Sequence, residues 1–243
     1  MNRLGYLLLI AKMAKLILIR HGQSTWNEAN RFSGWVDVPL NHTGRTEAIA
    51  AAKKVCQYKI DVCFTSLLMR AKETTAICLT EGDIDLTAKS PVFKHDADDS
   101  NWHGWDKYEG EITEEIPIYT SSQLDERYYG DLQGYNKAEM AEEVGEETVH
   151  QWRRSFSTRP PGGESLEDTI ARTVPFFQDK IVPFLKQGKN VLVSAHGNSL
   201  RSIIMHLDDL NPQEVPHLEL KTGIPIVYTV DESARIINKQ TLN

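Results

Sequence analysis

Two short apolar runs in this sequence each end in a histidine followed by a glycine. His21 follows the run 15–19, and His196 follows the run 191–194. Runs of this kind are typical of buried parallel strands, and sites in open α/β sheets lie beyond the carboxyl ends of such strands. An imidazole at a strand end can attack an electrophile as a neutral nucleophile. We therefore expect His21 and His196 to meet in one site.

Charged residues near these histidines indicate transfer of a phosphoryl group. Arg20 precedes His21, and Arg70 is expected in the first turn of a helix, where amide donors also favour anions. A transferring phosphoryl group carries negative charge on its non-bridging oxygens, which cations and amides stabilise. Glu126, at the end of another predicted strand, is the best carboxylate for moving the proton of the reacting oxygen. His196 would then donate hydrogen bonds to the phosphoryl oxygens.

The composition is that of a soluble globular chain without a general attraction for polyanions. Its 243 residues include 27 Lys and Arg against 34 Asp and Glu, which gives a net charge of −7. An acidic chain is not drawn to nucleic acid or acidic membranes, so a local basic cluster must attract an anionic substrate. Three cysteines without CxxC spacing favour a reduced, cytoplasmic protein over a disulfide or zinc framework.

Apolar runs alternate with helical patterns along most of the chain. This alternation predicts an α/β fold, with a doubly wound, mostly parallel sheet and helices on both faces. Ser66 is expected to cap the helix that carries Arg70, and Ser165 begins a capping box. Pro175 and Pro183 should kink or end the helix that follows Ser165. Other predicted helices cover residues 43–57, 137–144, 146–156 and 198–207.

One catalytic domain is expected over residues 14–243, preceded by an N-terminal extension over residues 1–13. The apolar stretch in that extension is short for a membrane span, and Met13 is an alternative natural start. Residues 80–115 are rich in carboxylates and show no sustained period. We expect them to form an acidic surface insertion, ordered in part by aromatic side chains.

The insertion contains a cluster of carboxylates and imidazoles over residues 95–103. Such groups can bind a cation, but Lys107 stands where the closing Glu of a calcium loop would be. A solvated acidic loop is therefore expected, and no metal site is predicted. The acidic surroundings of Trp102 and Trp105 also disfavour nucleic-acid stacking.

Seven segments in a fixed order carry a resemblance to a known family. They read LILIRHGQSTWNEANRFSGWVDVPLNHTG, FTSLLMRA, DERYYGDLQGYNKAE, WRRSF, ESLEDTIARTVPFF, SAHGNSLR and LKTGIPIVY. Together they resemble the histidine phosphatase superfamily, and within it the cofactor-dependent phosphoglycerate mutases. The resemblance covers most of the chain outside residues 1–13 and 80–115. Arg-His-Gly alone is a weak signal, whereas the ordered series is specific.

The resemblance implies that His21 is phosphorylated, that Glu126 moves the proton, and that Arg20, Arg70 and His196 bind the phosphoryl group. The implied substrate-binding residues are Asn27, Ser33, Gly34, Arg127, Tyr128, Tyr129, Lys137, Arg153, Arg154, Gly197 and Asn198. The implied reaction of glycolysis and gluconeogenesis interconverts 3-phosphoglycerate and 2-phosphoglycerate, primed by 2,3-bisphosphoglycerate without a metal. The family also implies a homo-oligomer, either a dimer or a tetramer.

Two alternatives to a mutase remain open at the level of sequence. A phosphatase acting on phosphoglycerates or other small phosphoesters needs only the pocket around His21, because water is its acceptor. A mutase must hold the reacting molecule at both ends. Lys137, Arg153 and Arg154 would bind the end that lies away from His21, and their presence favours a mutase. The third possibility is a non-catalytic relative that binds a protein through the acidic insertion, and the presence of all the chemical groups argues against it.

Overall fold

A seven-stranded sheet organises the part of the chain that the computed structural model describes, residues 13–82, 89–94 and 113–243. The strands are β1 (Ala14–Arg20), β2 (Val62–Thr65), β3 (Ser90–Lys94), β4 (Glu115–Thr120), β5 (Val191–Ala195), β6 (Pro225–Val230) and β7 (Ile236–Thr241). Their spatial order is β3-β4-β2-β5-β1-β6-β7. The first five strands in that order are mutually parallel, and β6 runs antiparallel to both β1 and β7. The prediction of a mostly parallel sheet is confirmed.

Helices cover both faces of this sheet, as predicted. The helices are α1 (Thr25–Glu28), α2 (His42–Val55), α3 (Met69–Thr80), α4 (Lys137–Val144), α5 (Glu146–Arg154), α6 (Leu166–Phe176), α7 (Val182–Lys186) and α8 (Gly197–Asp208). Alternate residues of β1 enter two separate apolar clusters. Leu16 and Leu18 lie in the cluster that contains α7 and α8 residues, whereas Ile17 and Ile19 lie in the cluster with α2 and α3. This two-sided burial explains the unbroken apolar run of β1.

Two strands lie where the sequence predicted none. β3 is within the acidic segment, and β7 follows the last predicted strand. Both are edge strands, and most of their residues are exposed or half-buried. Such strands are held by backbone pairing to one neighbour, so they carry little of the apolar pattern that reveals a buried strand.

Local signals near the helix ends are confirmed in part. Ser165 and Asp168 form the predicted capping box of α6. A π-helical turn at Phe177–Ile181 separates α6 from α7, between the two prolines expected to interrupt this helix. The prediction that Ser66 caps the Arg70 helix is wrong, because α3 begins at Met69 with Leu68 at its N-cap.

Two predicted segments fall largely outside the described residues. These are the N-terminal extension and most of the acidic insertion, including Trp102, Trp105 and the cluster over residues 95–103. Phe93, the third aromatic residue expected to order the insertion, lies in β3 and is 38% exposed. Within residues 13–82, 89–94 and 113–243, none of the helices combines the length and the apolar character needed to cross a membrane.

Candidate active site

His21 and His196 face each other at one edge of the sheet. β1 and β5 are parallel neighbours in which Arg20 lies opposite Ala195, so each histidine is the next residue beyond its strand. The centroids of the two imidazole rings are 4.9 Å apart, and the ring planes meet at 60°. The exposed fractions of the two residues are only 2% and 0%. The expectation that the two histidines meet is confirmed.

A hydrogen bond decides which nitrogen of His21 is reactive. Nδ1 lies 2.7 Å from the carbonyl oxygen of Gly22. Because a carbonyl only accepts, Nδ1 carries the proton and Nε2 of the neutral ring keeps its lone pair. Burial lowers the pKa of His21 well below its usual value, and the charges of Arg70 and Arg20 lower it further. The ring is therefore neutral at pH 7, with Nε2 available as a nucleophile.

A serine hydroxyl orients His196. Ser66 Oγ lies 2.7 Å from His196 Nε2 and accepts the Leu68 N–H at 3.0 Å. The carboxylate of Asp125 accepts the neighbouring Leu67 N–H at 2.9 Å. A hydroxyl can both donate and accept, so the contact with Ser66 fixes the orientation of the His196 ring in either tautomer. Nδ1 of this ring is buried without a partner among the described residues.

His196 can bind a second proton once an anion arrives. Burial lowers the pKa of His196 well below its usual value, and the charges of Arg70 and His21 lower it further. A bound phosphoryl group would oppose these positive charges and raise the pKa. The ring could then donate from Nδ1 while Nε2 stays bound to Ser66.

Backbone carbonyls hold the two predicted phosphoryl-binding arginines in place. Arg70 is 1% exposed, and its two terminal nitrogens donate to Val36 O at 3.0 Å and Gly34 O at 2.7 Å. Arg20 Nη1 donates to Leu220 O at 2.8 Å. Arg20 Nε is buried and unpaired in the part of the chain that the structure describes. Each guanidinium is thus fixed and offers N–H groups suited to an anion.

Glu126 is ionised at the same edge of the sheet. Its Oε1 accepts the Arg127 N–H at 2.8 Å and the side-chain amide of Asn198 at 2.8 Å. Burial alone would raise the pKa of Glu126, but these hydrogen bonds and the charges of Arg20 and Arg70 outweigh it, so the pKa lies below its ordinary value. The carboxylate can therefore accept a proton at pH 7.

Arg172 of α6 holds the segment that carries Glu126. Its guanidinium donates to four backbone carbonyls of residues 122–126 at 2.9 to 3.2 Å and pairs with both oxygens of Glu164 at 3.0 Å. The indole N–H of Trp35 donates to the Glu126 carbonyl at 2.6 Å. Arg172 was not predicted as a site residue, because its main partners are carbonyls, which side-chain patterns do not reveal.

The site opens into a cavity of about 170 Å³. Among the described residues, its lining includes seven Arg or Lys side chains and two carboxylates, so it suits an anion with more than one charged group. The predicted site residues in the lining are Arg20, His21, Asn27, Ser33, Gly34, Arg70, Glu126, Tyr129, Lys137, Arg153, Arg154, Gly197 and Asn198. His196 is not in the lining and lies behind it, against the ring of His21.

Lys137 and Arg153 form a second group of cations in this cavity. Lys137 Nζ donates to Arg31 O at 2.6 Å and lies 5.4 Å from the ring centroid of Phe32. Burial lowers the pKa of Lys137 to about 8, and Arg153 is the charge that adds most to this shift. The charges that act on His21 are those of Arg70 and Arg20, and Arg20 also has a smaller effect on Lys137. The cavity therefore holds cations beyond the pair beside His21, enough to face two anionic groups of one ligand.

Two predicted substrate-binding residues lie outside the cavity lining. Arg127 is fully buried and donates to the hydroxyl of Tyr129 and the carbonyl of Arg153, both at 3.0 Å. The ring of Tyr128 packs on that of Trp35, with centroids 4.8 Å apart. Both side chains therefore support the walls of the cavity. Their position beside Glu126 in the sequence does not place them in contact with a ligand in this cavity.

Three lining residues with charged side chains were not predicted from the sequence. Arg201 donates to Asn198 Oδ1 at 3.2 Å and to Leu218 O at 2.9 Å. Arg201 follows Gly197 by four residues and therefore lies on the same face of α8 as Gly197. This spacing is visible in the segment SAHGNSLR and could have identified Arg201 as a site residue. Arg31 and Glu219 also line the cavity but lie outside regular elements, where spacing carries no such signal.

Metal ions are bound by arrangements of side chains that differ from this cationic lining. No set of three or more His, Cys, Asp or Glu side chains within the described ranges is arranged to hold a metal ion. The cations that face an anion in the cavity are those of Arg and Lys side chains.

Comparisons with known proteins agree with this site. A profile of the histidine phosphatase superfamily (branch 1) matches residues 16–92 and 109–241. A 2,3-bisphosphoglycerate-dependent phosphoglycerate mutase of Gloeothece citriformis is 60% identical over 233 residues, which cover 95% of this chain and 100% of that relative. The enzyme of the same name from Protochlamydia amoebophila is 50% identical over 217 residues, covering 89% of this chain and 95% of that relative.

Solved structures share the fold at lower identity. A mycobacterial glucosyl-3-phosphoglycerate phosphatase in complex with VO3 has a TM-score of 0.70 and 22% identity, covering 95% of this chain and 99% of that chain. Bacillus stearothermophilus YhfR has a TM-score of 0.68 and 22% identity, covering 92% of this chain and 94% of that chain. These two likenesses show the fold, whereas the sequence relatives show the family. The chain belongs to the histidine phosphatase superfamily, branch 1, and within it to the 2,3-bisphosphoglycerate-dependent phosphoglycerate mutases.

Proposed function

We propose that this protein interconverts 3-phosphoglycerate and 2-phosphoglycerate through a phosphohistidine at His21. The relatives that are 50% to 60% identical carry the name of this activity. The supporting observation in the structure is a cavity lined by seven cationic side chains among the described residues, more than one phosphoryl group requires. Arg20 and Arg70 lie in this lining with His21, and Lys137, Arg153 and Arg154 are further cations of the same lining. A phosphoglycerate has two anionic ends to match them.

His21 is the phosphoryl carrier in this proposal. 2,3-Bisphosphoglycerate supplies the phosphoryl group that loads the enzyme, and the cationic lining fits such an anion. His21 Nε2 holds the phosphoryl group while the Gly22 carbonyl keeps the proton on Nδ1. Arg20 and Arg70 neutralise the non-bridging oxygens, so the proposal assigns no metal.

Glu126 moves the proton in both directions. As the N–P bond at His21 breaks, a new O–P bond forms at the C2 hydroxyl of 3-phosphoglycerate, and Glu126 accepts the hydroxyl proton. In the second transfer the C3 phosphoryl group moves to His21, and Glu126 returns its proton to the C3 oxygen, which leaves 2-phosphoglycerate. Between the transfers the reacting molecule must turn while it stays bound, and Lys137, Arg153 and Arg154 would hold its other end.

Two parts of the sequence-based prediction extend beyond this chemistry. The homo-oligomer follows from the family resemblance and the cytoplasmic location from the cysteines, and both stay predictions. The phosphatase alternative differs only in the acceptor, because water would replace the substrate hydroxyl at the phosphohistidine.

Labelling of the enzyme tests the proposed carrier. ³²P-labelled 2,3-bisphosphoglycerate should transfer label to the protein as an acid-labile, base-stable adduct. The His21→Gln variant should take up no label, whereas His206→Gln, which replaces an exposed histidine of α8, should be labelled like the wild type. Undiminished label on His21→Gln, or an unlabelled wild type, would reject the proposal.

A further inference from the structure

Glu219 is an acidic residue in a cavity that otherwise suits anions. The only other carboxylate in the described part of the lining is Glu126, to which the proposed mechanism already gives a role. Glu219 Oε1 lies 2.7 Å from Nη2 of Arg154, and the two side chains are 68% and 29% exposed. One of the cations expected to hold the substrate is therefore already paired with a group of the protein itself.

The backbone on both sides of Glu219 is anchored to arginines of the cavity. The carbonyl of Leu218 accepts from Arg201 Nε at 2.9 Å, and the carbonyl of Leu220 accepts from Arg20 Nη1 at 2.8 Å. The Gly223 N–H also donates to the carbonyl of Arg20 at 2.9 Å. Because these contacts hold the backbone, Glu219 can leave Arg154 by rotating its own side chain.

Such a rotation requires little energy. The carboxylate of Glu219 is mostly in solvent, where a released carboxylate regains its hydration. Exposed ion pairs contribute little to stability, because water screens them and two long side chains lose freedom in forming them. An incoming carboxylate or phosphate can therefore replace Glu219 on Arg154.

We propose that Glu219 is a displaceable internal counter-ion of Arg154, which selects against ligands that lack a second anionic group able to replace it. Inorganic phosphate, bound at the histidines, would leave the pair intact. A phosphoglycerate would break the pair and bind Arg154 with its far end. The proposal rests on the proposed function, since it requires that Arg154 hold that end.

The exchange has a consequence for turnover. A mutase must loosen its hold on the far end of the reacting molecule so that the molecule can turn. Glu219 stays close to Arg154 and competes for it throughout, so it weakens that hold without removing it. A carboxylate that only oriented Arg154 for the substrate would have the opposite effect, because its loss would weaken substrate binding.

Binding measurements on the full-length, unprimed protein distinguish these two roles. Titration calorimetry would give dissociation constants for 3-phosphoglycerate and for inorganic phosphate. Glu219→Gln should lower the dissociation constant of 3-phosphoglycerate about threefold to tenfold, because it removes both a competitor and a nearby like charge. The constant for inorganic phosphate should stay within about twofold, because the histidine end does not involve this pair.

Two further variants control for nonspecific effects. Glu232→Gln removes the same charge from an exposed turn outside the cavity lining and should change neither constant. In an Arg154→Gln background, Glu219→Gln should no longer tighten 3-phosphoglycerate binding, because the guanidinium for which Glu219 and the ligand compete is absent.

Several results would overturn the proposal. An unchanged or raised constant for 3-phosphoglycerate in Glu219→Gln would reject displacement, and an equal fall for both ligands would indicate only a general charge effect. Tightening that persists in the Arg154→Gln background would also reject it. A wild-type protein that does not bind 3-phosphoglycerate would reject the proposed function together with this inference, so the two failures are distinguishable.

Discussion

At the scale of single residues, the site depends on where each proton resides. The Gly22 carbonyl holds the Nδ1 proton of His21 and leaves Nε2 free to react. The amides on Glu126 keep it ionised, and the hydroxyl of Ser66 holds Nε2 of His196 in place. The assignments for His21 and Glu126 follow from partners that can only accept or only donate.

Removing the hydroxyl of Ser66 should impair catalysis. Ser66→Ala leaves Nε2 of His196 without its acceptor, so the charged imidazole loses a hydrogen bond when it faces the phosphoryl group. We expect kcat to fall about tenfold to a hundredfold, with a KM that changes much less. Ser66→Thr, which keeps the hydroxyl, should restore most of kcat. Wild-type kcat in Ser66→Ala would contradict this role of Ser66.

Lys137 should make substrate capture sensitive to alkaline pH. Burial lowers the pKa of its ammonium group, so the charged form is present below about pH 8 and is lost above it. The pH profile of kcat/KM for 3-phosphoglycerate should therefore decline above about pH 8, since this ratio reports groups of the free enzyme. Lys137→Arg should remove that decline, because a guanidinium stays charged there. An identical decline in Lys137→Arg would assign it to another group.

At the scale of elements, two parallel strands place the nucleophile and a helix fixes the base. His21 and His196 meet because β1 and β5 are neighbours that end at the same level. Glu126 is placed differently, since it follows a 3₁₀ turn at Ser122–Leu124 and depends on Arg172 of α6. The strand contacts are repetitive, whereas a few side chains hold the segment that carries the base, and the guanidinium of Arg172 makes the largest number of these contacts.

Replacing Arg172 should therefore affect both stability and kcat. Arg172→Lys cannot reproduce the contacts to four carbonyls and Glu164, so donors are lost from a partly buried segment. We expect the free energy of unfolding to fall by about 2–4 kcal/mol, and kcat to fall more than KM changes. Arg159→Lys, at an exposed ion pair with Asp168, should reduce stability by less than about 1 kcal/mol. Equal effects of the two variants in denaturant titrations would contradict this role.

The same contrast explains how much could be predicted from the sequence. The buried strands and the two histidines were predictable, because two-sided burial leaves an apolar run that ends abruptly at a polar residue. The edge strand β7 was not predictable, because all six of its residues are exposed and β6 is the one strand with which it pairs. Arg172 and Glu219 act through partners distant in sequence, so no local spacing identifies them.

At the scale of the whole molecule, positive charge is concentrated in one place on an acidic protein. The chain has a net charge of −7, whereas the cavity lining includes seven cationic side chains and two carboxylates. A concave cationic site of this kind attracts anions locally, while the remaining surface repels them. The pocket therefore discriminates against bulky polyanions and in favour of small anions that can enter it.

Salt should accordingly weaken capture of the substrate. Raising KCl from about 20 to about 500 mM shortens the screening length severalfold, so kcat/KM for 3-phosphoglycerate should fall about threefold or more. The value of kcat at saturating substrate should change much less, because the bound anion is shielded inside the cavity. A kcat/KM that is independent of KCl would show that the cationic lining does not guide the substrate.

The ratio of isomerisation to phosphate release tests the central claim most directly. The protein would be incubated with 3-phosphoglycerate and a metal chelator, with and without 2,3-bisphosphoglycerate, while 2-phosphoglycerate and free phosphate are measured in the same samples. We predict that the primed enzyme forms 2-phosphoglycerate, that the chelator does not slow it, and that free phosphate accumulates far more slowly. Release of phosphate faster than formation of 2-phosphoglycerate, or no isomerisation by the primed enzyme, would contradict the account.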